Sequence, residues 1–124
     1  MRLLLDTHTA IWWLADLPSL GREAATLLAD DGHEVLLSAV VVWEVAIKRS
    51  LGKLTAPPDI AAGARAGGAR LLPVTTEHAA AVEHLPWHHR DPFDRMLVAQ
   101  AQLEGAVLLS GDPALRRYGV PVVW

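Results

Sequence analysis

The chain has 124 residues, of which 52% are hydrophobic and 20% charged, and its formal net charge is −3. This length and composition predict one well-packed domain, residues 1–124, and exclude a disordered polymer. The chain has no cysteine, which excludes a disulfide framework and a thiolate zinc site.

The first residues of the chain are apolar but are interrupted by charged and polar side chains. Asp6, His8 and Asp16 break the stretch. It is therefore expected to be neither a membrane span nor a signal peptide. We expect a soluble protein with no membrane partner and a cytoplasmic location.

Short apolar runs alternate with helix-length segments along the chain. The apolar runs are continuous, as in strands buried on both faces, and they lie at residues 2–5, 34–37, 71–74, 106–109 and 120–123. Helices are predicted at residues 9–15, 22–30, 40–51, 58–66, 77–85 and 92–105. The alternation predicts an α/β fold, a three-layer α/β/α sandwich with a mainly parallel central sheet.

Several boundaries carry residues that start or stop helices. Ser38 is predicted to cap the helix that follows it, and Gly52 to end that helix in a left-handed conformation. Asp91 followed by Pro92 is typical of an N-cap and a first helical residue. The segment GARAGGAR, residues 63–70, is expected to be a loop.

Four carboxylates are predicted to meet at one edge of the sheet. Asp6 follows the first apolar run and Asp112 the fourth, while Glu44 and Asp94 lie near the starts of helices that begin at that edge. Ligands of open parallel sheets bind beyond the carboxyl ends of the strands. Taken one at a time, the acids also have ordinary structural explanations. Glu44 can pair with Lys48 on a helix surface, and Asp112 can be a turn residue.

Asp94 shares its predicted helix face with apolar residues. Leu97, Val98 and Ala101 follow it at helical spacing. A carboxylate that faces the core is costly unless it is paired, and carboxylates packed together repel one another. A hard divalent cation removes both penalties, and all-oxygen ligation favours Mg²⁺ or Mn²⁺ over zinc. Such ions assist the cleavage of phosphodiesters.

The negative net charge argues at first against a nucleic-acid partner. Assigning four negative charges to a metal site, however, takes the formal charge of the rest of the chain from −3 to +1. Arg49, Arg90 and Arg95 then become candidate contacts to a substrate backbone. Each of them is equally consistent with an ordinary solvated side chain.

The chain contains five tryptophans. Trp12 and Trp13 are adjacent in a short predicted helix and cannot face the same core, so one of them is predicted to face a groove. A partner helix or a second subunit is one candidate cover for that groove, and burial by loops is the alternative. We expect the other tryptophans to lie in the core or at its rim: Trp43, Trp87 and Trp124.

The histidines give weaker signals. His88 and His89 stand near Asp91, but adjacent histidines diverge and no third nitrogen or sulfur ligand is evident, so a loop is expected there and not a zinc site. His8 lies near Asp6 and is as consistent with a structural role as with a contact to a substrate phosphate.

Five segments of the chain carry a family resemblance. They are, in order, LLLDTHTAIWWL, SAVVVWEVAIKRSLGKL, LPVTTEHA, HHRDPFDRMLVAQAQ and LLSGDP. Together they closely resemble PIN-domain proteins of the VapC-like toxin group of prokaryotic toxin-antitoxin modules, over residues 2–124. The resemblance implies a PIN-like fold and a Mg²⁺- or Mn²⁺-dependent endoribonuclease that hydrolyses single-stranded or loop RNA. It also implies a small antitoxin as partner and a homodimer.

The resemblance assigns roles to particular residues. The family's four acids correspond to Asp6, Glu44, Asp94 and Asp112. Thr7 matches the hydroxyl residue that usually follows the first acid, and Ser110 stands where the family commonly has threonine. Asp6 and Asp94 are expected to hold the principal metal, with the other two acids acting through water or a second ion. The open alternative is a non-catalytic PIN-like domain that binds metal, RNA or protein.

Overall fold

All five apolar runs form strands, and these strands make one parallel sheet. The computed structural model describes residues 1–124. The strands are β1 (Arg2–Leu5), β2 (Glu34–Ser38), β3 (Arg70–Leu72), β4 (Val107–Leu109) and β5 (Val122–Val123). They lie in the order β3-β2-β1-β4-β5, and every neighbouring pair is parallel.

Helices connect the strands and flank the sheet, which confirms the predicted α/β fold class. They are α1 (Thr7–Leu14), α2 (Arg22–Ala29), α3 (Ala39–Ser50), α4 (Ile60–Ala66), α5 (Thr76–Ala81) and α6 (Pro92–Glu104). Two 3₁₀ segments complete the chain, Val82–His84 and Pro113–Tyr118. None of the helices has the length and hydropathy that a bilayer span requires.

The core lies along the central strands, where leucine side chains point to both faces of the sheet. These leucines are inaccessible to solvent because helices cover both faces, which explains why the strand sequences are continuously apolar. Each such side chain contributes about 1.5–3 kcal/mol by burial. The fully buried leucines of the three central strands are Leu3, Leu4, Leu5, Leu36, Leu37, Leu108 and Leu109.

The order of the strands reverses at β1. The chain first adds β2 and β3 on one side of β1, and then returns to place β4 and β5 on the other side. The connections that leave β1 and β4 therefore diverge and open a crevice between them. The backbone N–H of Asp6 and the hydroxyl of Thr9 both donate to the carbonyl of Leu109, at 3.2 and 2.8 Å, and tie the two strand exits together.

The predicted helix caps are confirmed. The Ser38 hydroxyl accepts the N–H of Val40 at 3.0 Å, and Asp91 caps α6 by accepting the N–H of Phe93 at 2.8 Å. Gly52 has a φ of +68°, just beyond the end of α3. These local contacts fix where α3 and α6 begin, and with them the positions of Glu44 in the second turn of α3 and Asp94 in the first turn of α6.

Two local predictions are wrong. Residues 63–66 of the predicted loop continue α4, which Asp59 caps by accepting the N–H of Ala62 at 3.0 Å. The helix predicted over residues 77–85 ends at Ala81 and passes into a 3₁₀ turn.

The tryptophans also differ from expectation. Trp43 and Trp87 are 60% and 76% exposed, so their predicted place in the core or at its rim is wrong. Trp13 packs against Gly67, whereas Trp12 lines a surface pocket, which confirms that one of the pair faces a groove. Trp124 lines the same pocket and is half-buried.

Candidate metal centre

A polar cleft of about 220 Å³ lies beyond the carboxyl ends of β1 and β4. No hydrophobic residue lines this cleft, and all four predicted acids do. The lining residues are Asp6, Thr7, His8, Glu44, Lys48, His89, Asp91, Asp94 and Asp112. Ser110 is buried beneath the cleft, where its hydroxyl accepts the N–H of Asp112 at 3.1 Å. The topology thus brings together side chains from the β1–α1 junction, α3, the start of α6 and the segment after β4.

Asp6 and Asp94 each present an oxygen that the protein does not occupy. Asp6 caps α1 through Oδ1, which accepts the N–H of Thr9 at 2.8 Å, while its Oδ2 accepts no hydrogen bond from the protein, and the residue lines the cleft. The Asp94 carboxylate has one ion-pair partner, His89, at 3.3 Å from Oδ2, and its Oδ1 accepts no hydrogen bond from the protein. These two carboxylates are therefore the best placed in the cleft to ligate a cation.

Glu44 and Asp112 are more fully engaged. The buried Glu44 carboxylate accepts the Thr7 hydroxyl and the Lys48 ammonium, each at 2.5 Å. Its pairing with Lys48 therefore exists, but inside the cleft and not on a solvated helix face, and the hydrogen bond raises the pKa of Lys48. Asp112 accepts the N–H of Ala114 at 2.9 Å and lies 3.0 Å from His89.

The carboxylates that line the cleft outnumber its basic side chains. Burial raises the pKa of Asp94 to about 7, and the nearby charges of Asp91, Asp6 and Glu44 also raise it, against the opposing effect of His89. A carboxyl group with such a pKa gains most from a cation that replaces its proton. The donor set and the charge of the cleft therefore fit a divalent metal ion.

His89 is a site residue that the sequence prediction missed. The backbone N–H of Asp91 donates to its Nδ1 at 3.0 Å, so the proton of the neutral ring is on Nε2. That Nε2 lies between Asp112 and Asp94, and ligand atoms of the three residues are within 4.8 Å of one another. Held in this way, the ring offers a proton and not a lone pair, so it donates to Asp112, lies 3.3 Å from Asp94, and is not a metal ligand.

The three candidate substrate arginines have different surroundings. Arg95 is buried and donates to the carbonyls of Val82, Leu85 and Pro86 at 2.9–3.3 Å, and its guanidinium stacks 3.8 Å over the ring of Trp87. The expected contact between Arg95 and substrate is therefore wrong.

Of the other two arginines, Arg49 is also hydrogen-bonded within the protein. Arg49 donates to three consecutive carbonyls, those of Ala56, Pro57 and Pro58. Arg90 alone is exposed and makes no hydrogen bond or ion pair within the protein. It is the candidate that the geometry leaves able to reach a substrate.

Comparison with known proteins identifies the family. Residues 3–121 match the family model described as the PIN domain. The chain belongs to the PIN domain family. No curated protein matched this PIN domain by sequence.

Solved structures share the fold of this PIN domain. A chain of VapBC2 from Rickettsia felis bound to a DNA fragment from their promoter is 14% identical, with a TM-score of 0.71 over 99% of this chain and 98% of that one. A chain of DNA-bound VapBC from Salmonella typhimurium is 20% identical, with a TM-score of 0.70 over 99% and 97%. A chain of a toxin-antitoxin complex from Klebsiella pneumoniae is 18% identical, with a TM-score of 0.59 over 98% and 96%.

Proposed function

We propose that this PIN domain is a Mg²⁺- or Mn²⁺-dependent endoribonuclease and the toxin of a toxin-antitoxin module. The observation that carries the proposal is the convergence of Asp6, Glu44, Asp94 and Asp112 on one polar cleft, with open oxygens on Asp6 and Asp94. The similar folds in VapBC and toxin-antitoxin complexes support an antitoxin partner. In this proposal, residues 1–124 form one nuclease domain. The protein is a homodimer and acts in the cytoplasm.

The residues of the cleft divide the work of holding an ion. Asp6 and Asp94 are the direct ligands, since each has an oxygen without a protein partner. Asp112 contributes at longer range, because His89 and the N–H of Ala114 occupy its oxygens. A bound Mg²⁺ or Mn²⁺ would supply Lewis acidity, activating the attacking water and stabilising the leaving oxygen of the phosphodiester.

The remaining residues orient the substrate and the nucleophile. Glu44, fixed by Thr7 and Lys48, is a rigid acceptor for the attacking water. Lys48 reduces the repulsion between the acids and a substrate phosphate, since its partly exposed ammonium lines the cleft. Arg90 offers a further contact to the RNA backbone. Because the nucleophile is water, the chemistry needs no 2′-hydroxyl, and a preference for RNA must arise from binding.

Cleavage assays test the nuclease proposal directly. We expect the purified protein to cut total RNA with Mg²⁺ or Mn²⁺ and to stop with a chelator. Asp94→Asn should lower the rate by more than about 100-fold, beyond what changes in outer-shell residues cost. Asp31→Asn is a matched control, because Asp31 is exposed and makes no hydrogen bond or ion pair.

The results of these assays distinguish a nuclease from a non-catalytic binding domain. Cleavage that ignores both the chelator and Asp94→Asn would refute the proposal. Binding of Mn²⁺ and RNA without any cleavage would instead support a non-catalytic PIN-like binding domain. For the toxin role, induced expression should arrest bacterial growth, and the Asp94→Asn variant should not.

A further inference from the structure

A second pocket opens beside the acid cleft. Its volume is about 380 Å³, and it shares Asp6, His8 and Asp112 with the cleft. Trp12 and Trp124 form its aromatic walls. The two cavities are therefore adjacent, with these three side chains on their common border.

The aromatic rings of this pocket form a connected surface. The ring of His8 stacks on Trp12, with centroids 5.4 Å apart and planes inclined by 22°. Trp12 in turn contacts Trp124 at 5.5 Å between centroids, with planes inclined by 56°. His8 is exposed and the two tryptophans are half-buried, so part of each ring remains accessible.

The indole of Trp124 packs closely against two glycines. A Cβ at Gly21 would stand 2.5 Å from the backbone of Trp124 and 2.7 Å from its ring, and one at Gly111 would stand 3.0 Å from the ring. Any larger residue at Gly21 would displace the indole. A preformed aromatic surface loses little conformational freedom when a ligand binds, which favours its use as a binding site.

We propose that Trp12, Trp124 and His8 form a stacking subsite for a nucleobase of single-stranded RNA, next to the phosphate held at the metal centre. The inference rests on the proposed nuclease function and extends it to the substrate. Unstacked bases bind aromatic faces, and this stacking tolerates any base because each has a π-face.

The charge of the pocket favours a base over other parts of the RNA. Its lining contains no lysine or arginine, and the carboxylates of Asp6 and Asp112 repel a phosphate there. A neutral base meets no such penalty, and its edge can bond to the hydroxyl of Ser19, which also lines the pocket. The shared acids place this base beside the bond that the cleft would cut.

Equilibrium binding to an inactive protein tests the subsite separately from cleavage. In a Glu44→Gln background with Mn²⁺, which keeps the direct metal ligands Asp6 and Asp94 and removes the acceptor for the attacking water, we would titrate a fluorescein-labelled oligoadenylate RNA of about eight nucleotides, a length within the range of single-strand binding sites. The comparison probe is an abasic ribose-phosphate chain of the same length. Trp12→Ala and Trp12→Phe are the test variants. Trp87→Ala is the control, because Trp87 is the most exposed tryptophan and lines neither cavity.

The expected pattern has three parts. Trp12→Ala weakens oligoadenylate binding by about tenfold or more, the range expected for loss of a stacked base. It leaves binding of the abasic chain unchanged, since that chain has nothing to stack. Trp12→Phe retains most of the affinity, and Trp87→Ala matches the parent. Melting temperatures close to that of the parent verify that each variant is folded.

Two results overturn the subsite. The first is that the parent shows no measurable binding of oligoadenylate. The second is that Trp12→Ala and Trp87→Ala bind oligoadenylate equally well. The second result would favour protein contact as the role of this face. If the unmodified protein still cuts RNA in that case, the subsite fails and the nuclease proposal stands. If Trp12→Ala shows the base-dependent loss but the unmodified protein cuts no RNA, the nuclease proposal fails and the base-binding site stands.

Discussion

The Nε2 atom of His89 lies 3.0 Å from an Oδ atom of Asp112, and the same Nε2 lies 3.3 Å from Asp94. The backbone N–H of Asp91 holds the opposite ring nitrogen and so keeps the proton on the side of the acids. The imidazole thus donates to the acid after β4 and lies beside the acid in the first turn of α6. Donors of this kind orient metal-binding carboxylates.

Substitution of His89 should weaken metal binding without abolishing it. His89→Ala should lower the affinity for Mn²⁺ by about 10–100-fold, the usual cost of losing an orienting donor. His89→Gln should retain most of the affinity, since its amide nitrogen can replace Nε2. His89→Asn replaces only Nδ1 and should behave like alanine. Isothermal titration calorimetry measures these affinities, and a complete loss of binding in His89→Ala would show that the ring is itself a ligand.

The four acids should contribute unequally to metal binding. Asp6→Asn and Asp94→Asn each remove the charge from a carboxylate with an open oxygen, and we expect no measurable binding of Mn²⁺ by either variant. Asp112→Asn should lower the affinity by only about tenfold, as expected for a residue acting at longer range. Electron paramagnetic resonance of Mn²⁺ distinguishes free from bound ion. Equal losses in all three variants would contradict this division of roles.

The stability of the metal-free protein should fall as the pH rises. The pKa of Asp94 is about 7 in the folded protein against an ordinary value of 3.8, so between these values the folded state keeps a proton that the unfolded state has lost. This proton contributes stability that is complete below pH 4 and is lost as the pH rises through 7. The full loss is on the order of 4 kcal/mol.

The Asp94→Asn variant isolates this effect. In the presence of a chelator it should be more stable than the unmodified protein at about pH 8, and the difference should vanish near pH 4. Urea denaturation between pH 4 and pH 8 measures the stability of both proteins, with Asp31→Asn as the control. Parallel stability curves for Asp94→Asn and the unmodified protein would contradict the assignment. Added Mn²⁺ should stabilise the unmodified protein and Asp31→Asn but not Asp94→Asn, because ligand binding to the folded state is coupled to stability.

Arg95 should matter for stability and not for substrate contact. Arg95→Lys removes the planar donor that satisfies the carbonyls at the end of the 3₁₀ turn, and we expect a loss of about 2–4 kcal/mol in the free energy of unfolding. Arg117→Lys, at an exposed position, should change it by less than about 0.5 kcal/mol. If the Arg95→Lys protein has normal stability but binds RNA more weakly, Arg95 contacts the substrate and this prediction is wrong.

Much of the candidate site could be predicted because it follows from strand ends and helix starts. Asp6 and Asp112 occupy the two strand exits at the point where the sheet order reverses, and the apolar stripe of α6 marked Asp94 as unusual. Glu44 was the least distinctive of the acids, since its pairing with Lys48 is equally typical of a surface helix.

The rest of the site depends on long-range contacts that no local pattern contains. His89 lies outside the helices and strands, and the hydroxyl of Tyr118 accepts its backbone N–H at 2.9 Å from 29 residues away. Arg95 also donates to that hydroxyl at 3.3 Å, and so holds the same loop. A sequence shows that an arginine follows Asp94, but not whether its side chain points outward or beneath a neighbouring loop.

The carbonyl of Leu109 accepts both the N–H of Asp6 and the hydroxyl of Thr9, and this has a kinetic consequence. The exits of β1 and β4 are tied together before any cation arrives, so this side of the cleft does not have to move to bind it. The rate of ion capture should then depend on how fast the cation sheds its own water. Mg²⁺ dehydrates reluctantly, so we expect it to enter more slowly than Mn²⁺.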